Sequence, residues 1–184
     1  MKYRLTDETK EWCGHTLHKI EYTEEWLKEH DLDELEGGWI ESEKNLSQDG
    51  GAWVYGNAQV YGNAQVCGDA KVCGNAQVCG DAWVYGDAKV YGNAQVYGDA
   101  KVCGDALVYG DAQVYGDALV YGDAWVCGDA WVYGDAWVYG NARISQGRTT
   151  SMRISTTEQW HEYQYRKAEL QKKWDKESEG KDED

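Results

Sequence analysis

The sequence predicts an all-β protein: a single-stranded, triangular parallel β-solenoid of 18 residues per coil, with a cap before it and an α-helix after it. Three observations carry this. A unit A-x-V-[YC]-G-[ND] recurs every six residues, its aliphatic position falling at Val54, Val60, Val66 and onward to Val138, then at Ile144. Those sixteen units follow one another without an insertion. Within each unit Ala and Val are two apart, so in an extended chain both face inward while the residues between and after them face out. Val favours strands, and Gly followed by Asn or Asp marks a corner, because Gly takes positive φ and Asn and Asp bond nearby backbone. A helix would need apolar spacings of three and four and would be penalised by a Gly in every sixth place. Third, Gln59, Gln77, Gln95 and Gln113 lie 18 apart, as a ladder on one face of a three-sided column would. One such strand cannot bury its Val alone, whereas stacked coils can.

The elements follow in order. Residues 1–50 form the cap, in which "TEEWLKEHDLDELEGG" reads as a helix stopped by Gly37, with an incomplete stripe of Trp26, Leu27, Leu32 and Leu35. Residues 51–147 form the solenoid, and residues 148–184 a strand, a helix and an acidic tail, "ESEGKDED". The helix opens on a capping box, Ser155 and Glu158, and carries Trp160, Tyr163, Leu170 and Trp174 at heptad spacing, with Lys167 between. Glu162 with Arg166 and Glu169 with Lys173 add pairs four apart. Such a helix either folds back over the last coil or bundles with copies of itself, since an open final coil presents bare strand edges.

Composition narrows the function. The chain has 184 residues and a formal net charge of -15, from 18 Lys and Arg against 33 Asp and Glu. That balance argues against nucleic acid as a partner, which needs clustered cations. No apolar run approaches the roughly 18 residues of a membrane span, so no membrane partner is expected. The start, "MKYRLTDETKEW", lacks the apolar stretch of a secretory signal, which leads to the expectation of a cytoplasmic protein. Ten Trp and 14 Tyr stand with no Phe and no Pro, so the rings belong to a wet surface or an interface. Five of the six Cys occupy the slot that elsewhere holds Tyr, and the sequence holds no CxxC, so free thiols are expected.

The repeats resemble the hexapeptide motif of left-handed parallel β-helices, an aliphatic residue followed four positions on by a small one. The left hand is implied by that resemblance alone. The lead-in "GGWIESEKNLSQDGGAWVYGNA" (Gly37–Ala58) is similar to the start of phage- and prophage-encoded hexapeptide-repeat proteins. These carry a cap of short strands, which "KYRLT" and "HTLHKIEYT" fit, and they place the chain in a bacterial host. The resemblance covers about residues 1–145.

Hexapeptide-repeat proteins include acyltransferases, which use a His as general base, and carbonic anhydrases, which hold zinc with three. Here His15, His18, His30 and His161 all lie outside the repeats. The reading is therefore a non-enzyme with no cofactor: a structural or binding protein acting through a protein partner or itself. The rivals are an acyltransferase relative whose inter-subunit site uses His15, His18 or His161, and a binder of a sugar or nucleotide on the Tyr/Trp faces. The interface candidates are Trp125, Trp131 and Trp137, one per face, with Trp160, Tyr163, Leu170 and Trp174. Such rings either contact a partner or stabilise their own ladders. The corner column Asp69, Asp87, Asp105 and Asp123 either satisfies its own turns or offers oxygen ligands to calcium.

Overall fold

Val72 lies in register with Val90, and Val90 with Val108, as parallel neighbours on one side of a three-sided column. In this computed structural model, residues 1–32 and 35–179 are described, with side chains described as far as residue 172. The chain winds into a parallel β-solenoid of about six turns whose three sheets run along its flanks. Each flank is named here for its first regular rung. The Trp53 flank stacks Trp53, Lys71, Lys89, Leu107, Trp125 and Arg143. The Gln59 flank stacks Trp39, Gln59, Gln77, Gln95, Gln113, Trp131 and Arg148. The Gln65 flank stacks Gln65, Trp83, Lys101, Leu119, Trp137 and Arg153.

Every Ala and Val of the repeats is buried and fills the prism. Small Ala beside branched Val keeps the interior narrow enough to fill with side chains. The corner glycines adopt positive φ, and the stacking makes them tight as well as twisted. A Cβ on Gly86 (φ 71°) would meet the backbone nitrogen of Gly104 in the next coil at 2.9 Å.

The column is longer than the regular repeat. Ile40 pairs with Val60, and Leu46 bridges Val66, each across 20 residues instead of 18. At the other end Arg148–Thr149 and Arg153–Ile154 complete a coil in which the inward residues Ile144, Thr149 and Ile154 are five apart. The solenoid thus extends beyond residues 51–147 on both sides.

Both ends are closed. The strands β1 (Tyr3–Trp12) and β2 (His15–Tyr22) form an antiparallel hairpin that continues the Gln59 sheet. Side chains of the cap take up the free backbone groups of the first coil, which buried edges require. The Tyr22 hydroxyl donates to Val54 O (2.9 Å) and accepts from Val54 N (2.7 Å). The Tyr3 hydroxyl donates to Leu46 O at 2.6 Å, and Lys2 Nζ donates to Ala52 O at 2.6 Å. Burial holds the Lys2 ammonium down to about pKa 8.

Helix α1 (Glu24–Glu29) is shorter than the sequence suggests. Asp31 takes the left-handed conformation (φ 56°), and Leu32 N–H reaches back to Leu27 O while Asp31 N–H bonds Lys28 O. This is a Schellman closure with Asp where Gly is usual, so the helix stops well before Gly37. The second helix, α2 (Thr157–Glu179), is capped one residue later than the proposed box: Thr156 Oγ1 accepts from Gln159 N, and Gln159 Oε1 accepts from Ser155 N. Its first turns lie across the last coil. Trp160 is 2 % exposed within the core, and Tyr163 packs against that core. No helix among the described residues is long and apolar enough to cross a membrane.

Candidate interaction surface

Each flank presents three outward columns: a corner of Asn or Asp, a mid-face column, and a column of Tyr or Cys. Within a column, side chains of successive coils contact one another. Tyr91 stacks on Tyr109 at 4.9 Å, Tyr121 on Tyr139 at 5.1 Å, and Tyr97, Tyr115 and Tyr133 form a continuous stack at 4.8 and 5.0 Å, all with ring planes nearly parallel. The thiols stand among these rings. Cys73 neighbours Tyr55, Cys79 neighbours Tyr61, Cys103 neighbours Tyr85 and Cys127 neighbours Tyr109, each one coil on in the same column. No Cys stacks on another in a column, and all six are free. Burial first, then the Cys73 thiol, pushes the Tyr55 phenol up to about 12; at Tyr85 and Tyr109 the neighbouring thiol comes first and burial second, with the same result.

The three Trp proposed as an interface are not bare. They ring the coil below the last, and the last coil sets an Arg on each. The guanidinium carbons of Arg143, Arg148 and Arg153 lie 4.0, 3.8 and 4.3 Å from the ring centres of Trp125, Trp131 and Trp137. The rings are half-buried, while the three Arg are exposed. This cationic collar was hidden in the sequence because the step to Arg148 and Arg153 drops to five residues. Trp160 and Tyr163 belong to the lid on the last coil and are largely spent there. Leu170 is 69 % exposed and Tyr165 65 % exposed, further along α2. The Trp174 and Lys173 side chains lie outside the described residues.

The corner columns bond upward where the coil below supplies a donor. Gly51 N–H donates to Asp69 Oδ1, Asn63 Nδ2 to Asp81 Oδ1, Asn75 Nδ2 to Asn93 Oδ1, and Asn93 Nδ2 to Asp111 Oδ1, all at 3.0–3.1 Å. Asp69, Asp87, Asp105 and Asp123 run in single file up one corner. Among the described residues no group of three or more His, Cys, Asp or Glu is placed to hold a metal ion.

Two flanks carry shallow grooves of related composition. One, of about 610 Å³, runs between the Asp69–Asp87–Asp105 corner and the column from Trp53 through Lys71, Lys89 and Leu107 to Trp125. The other, of about 520 Å³, runs between Asp81–Asp99–Asp117 and the column from Trp83 through Lys101 and Leu119 to Trp137. Trp83 is 43 % exposed. Lys71 and Lys101 lie over Trp53 and Trp83 at 4.4 and 5.8 Å. The Gln59 flank differs: from Gln59 to Tyr133 its mid-face and Tyr/Cys columns hold Gln, Trp, Tyr and Cys and no charged residue.

The histidines serve the cap. His15 Nδ1 lies 3.1 Å from Glu41 Oε1, with its ring on Tyr61. His18 Nδ1 lies 3.3 Å from Thr6 O, and His30 stacks on Trp26 with Nδ1 2.8 Å from Trp26 O. His161 is exposed on α2.

Two stretches, residues 76–92 and 112–128, match a family model described as the YdcK beta solenoid repeat. Each match covers about one coil, and the two begin at the same corner of the column, two coils apart. No curated protein matches the chain. The chain is a β-solenoid repeat protein.

Proposed function

We propose that this β-solenoid is a non-catalytic scaffold or binding module of phage or prophage type that works through protein contacts on its flanks. The observation that carries the reading is the closure of both ends. The hairpin, α1, Tyr3 and Tyr22 seal the first coil, and the Arg collar with Trp160 covers the last. What the column then presents is three flat sides of ordered aromatic, amide and charged ladders, which suits recognition across a face. The engagement of His15 with Glu41 and of His18 with Thr6 supports a structural use of two of the three histidines that an acyltransferase reading would draw on; the third, His161, is exposed on α2. Titration calorimetry with an acyl-CoA tests this: no heat of binding is expected, and micromolar binding would overturn the reading in favour of the transferase.

A further inference from the structure

We infer that the Gln59 flank is the surface through which a second copy of this chain docks, resting on the reading above that the flanks are contact surfaces. The argument begins with charge. A chain of net charge -15 repels its own kind. The Trp53 and Gln65 flanks each set a file of corner carboxylates beside a mid-face column, whereas from Gln59 to Tyr133 the Gln59 flank carries no charged side chain in its mid-face or Tyr/Cys column. Its near corner is also neutral at Asn57, Asn75 and Asn93. Protein interfaces are marked by this composition, with charge depleted from the centre and Tyr and Trp enriched. The face centres on Gln77, Gln95 and Gln113 beside the parallel stack of Tyr97, Tyr115 and Tyr133.

A copy of itself is favoured over another partner by the chemistry of the amide. Each Gln carries both donor and acceptor, so a Gln ladder can satisfy an identical ladder across a two-fold axis. The flank is also polarised along its length. Lys10 lies over Trp39 at the cap end, 4.3 Å from the ring, beside Lys19, which is 5.1 Å from the ring and paired with Glu36 at 2.6 Å. The border with the Gln65 flank carries Asp81, Asp99, Asp117 and Asp135, while the other border turns acidic only at the far end, at Asp111 and Asp129, near Arg148. An antiparallel two-fold sets the cap end of one copy against the acidic end of the other. Seven rungs at about 4.8 Å, by a side about 18 Å wide at roughly 3.3 Å per residue, give about 600 Å² per copy. That is the lower edge of a specific interface, so the dimer is reversible and concentration-dependent.

Light scattering on the full chain over a wide concentration range, at physiological ionic strength where the general repulsion is screened, reads this directly. The mass should rise from the 20.8 kDa of one chain towards twice that value. Gln95→Glu with Gln113→Glu, which adds two charges per copy at the centre of the face, should weaken dimerisation at least ten-fold while far-ultraviolet circular dichroism stays unchanged. Lys10→Glu should weaken it as well, and Leu107→Glu on the Trp53 flank should leave it unaltered. A monomer at every concentration, a trimer, or a dimer indifferent to Gln95→Glu with Gln113→Glu would overturn the inference. Acyl-CoA calorimetry addresses the scaffold reading separately, so the two can fail independently.

Discussion

The guanidinium of Arg148 lies 3.8 Å from the centre of the Trp131 ring, and the same arrangement recurs on the other two flanks at Arg143 and Arg153. The chain achieves this by changing its step. From Val54 to Ile144 each side takes six residues; the last two take five, with Gly147 at φ 85°. The collar puts three cations and three half-buried rings at one level of an otherwise acidic column.

Removing the collar should loosen the end of the solenoid. Arg148→Ala is expected to cost about 0.5–1 kcal/mol, the range for an exposed cation–π pair. The three sites lie on different flanks and share no partner, so the triple Ala variant should cost about 1.5–3 kcal/mol, close to the sum. Urea denaturation followed by Trp fluorescence measures both.

Corner glycines should not be equivalent. Gly56 and Gly86 have similar φ (67° and 71°), yet a Cβ on Gly56 meets nothing nearer than 3.8 Å, while on Gly86 it meets Gly104 N at 2.9 Å. Gly56→Ala should cost about 1–2 kcal/mol for the left-handed backbone alone. Gly86→Ala adds a clash with backbone, so its melting temperature should fall further; equal losses would contradict the close stacking.

Alkali should unfold the column. Tyr55, Tyr85 and Tyr109 are held at about 12 in the folded chain, against about 10 when unfolded. A raised pKa means that the folded state keeps its proton longer. The stabilisation is complete below pH 10 and is lost as pH rises from about 10 towards 12. Lys2 acts in the opposite sense: its folded value near 8 makes folding more favourable as pH climbs from about 8 to 10.4. Stability should therefore hold or rise slightly to about pH 10 and then fall, with tyrosinate absorbance appearing together with unfolding.

The helix lid should be separable from the column. Trp160→Ala removes a ring that is 2 % exposed and should cost about 3–5 kcal/mol locally. Hydrogen exchange is expected to quicken in α2 and the last coil while the amides of the middle coils stay protected. In the cap, Asp31→Gly should raise stability by about 0.5–1 kcal/mol, since Gly takes the left-handed position without strain.

The middle of the column was legible because its rules are local and repeated. Val, Ala and Gly each occupy a position that only stacking explains, and the 18-residue Gln spacing gives the coil length. The ends were not legible for a physical reason. Ile40 and Leu46 join the prism across 20 residues, and Thr149 and Ile154 through five-residue steps, so neither fits the template although each inward side chain is still buried. Asp31 ended α1 where the sequence pointed to Gly37, because Asp tolerates positive φ. The Trp at 125, 131 and 137 were found as a ring one per face, but their Arg partners became visible only once the last coil was in place. Flank residues vary where Val, Ala and Gly do not, so their role was open in the sequence.

The most direct test of the account is nuclear Overhauser contacts across the coils of the folded chain. The account predicts contacts between the methyl groups of Val72 and Val90, and between Val90 and Val108, together with slow exchange of the Lys71 amide that donates to Ala88 O. Contacts of Val90 confined to residues close in sequence, with nothing 18 positions away, would contradict the stacked column and every ladder built on it.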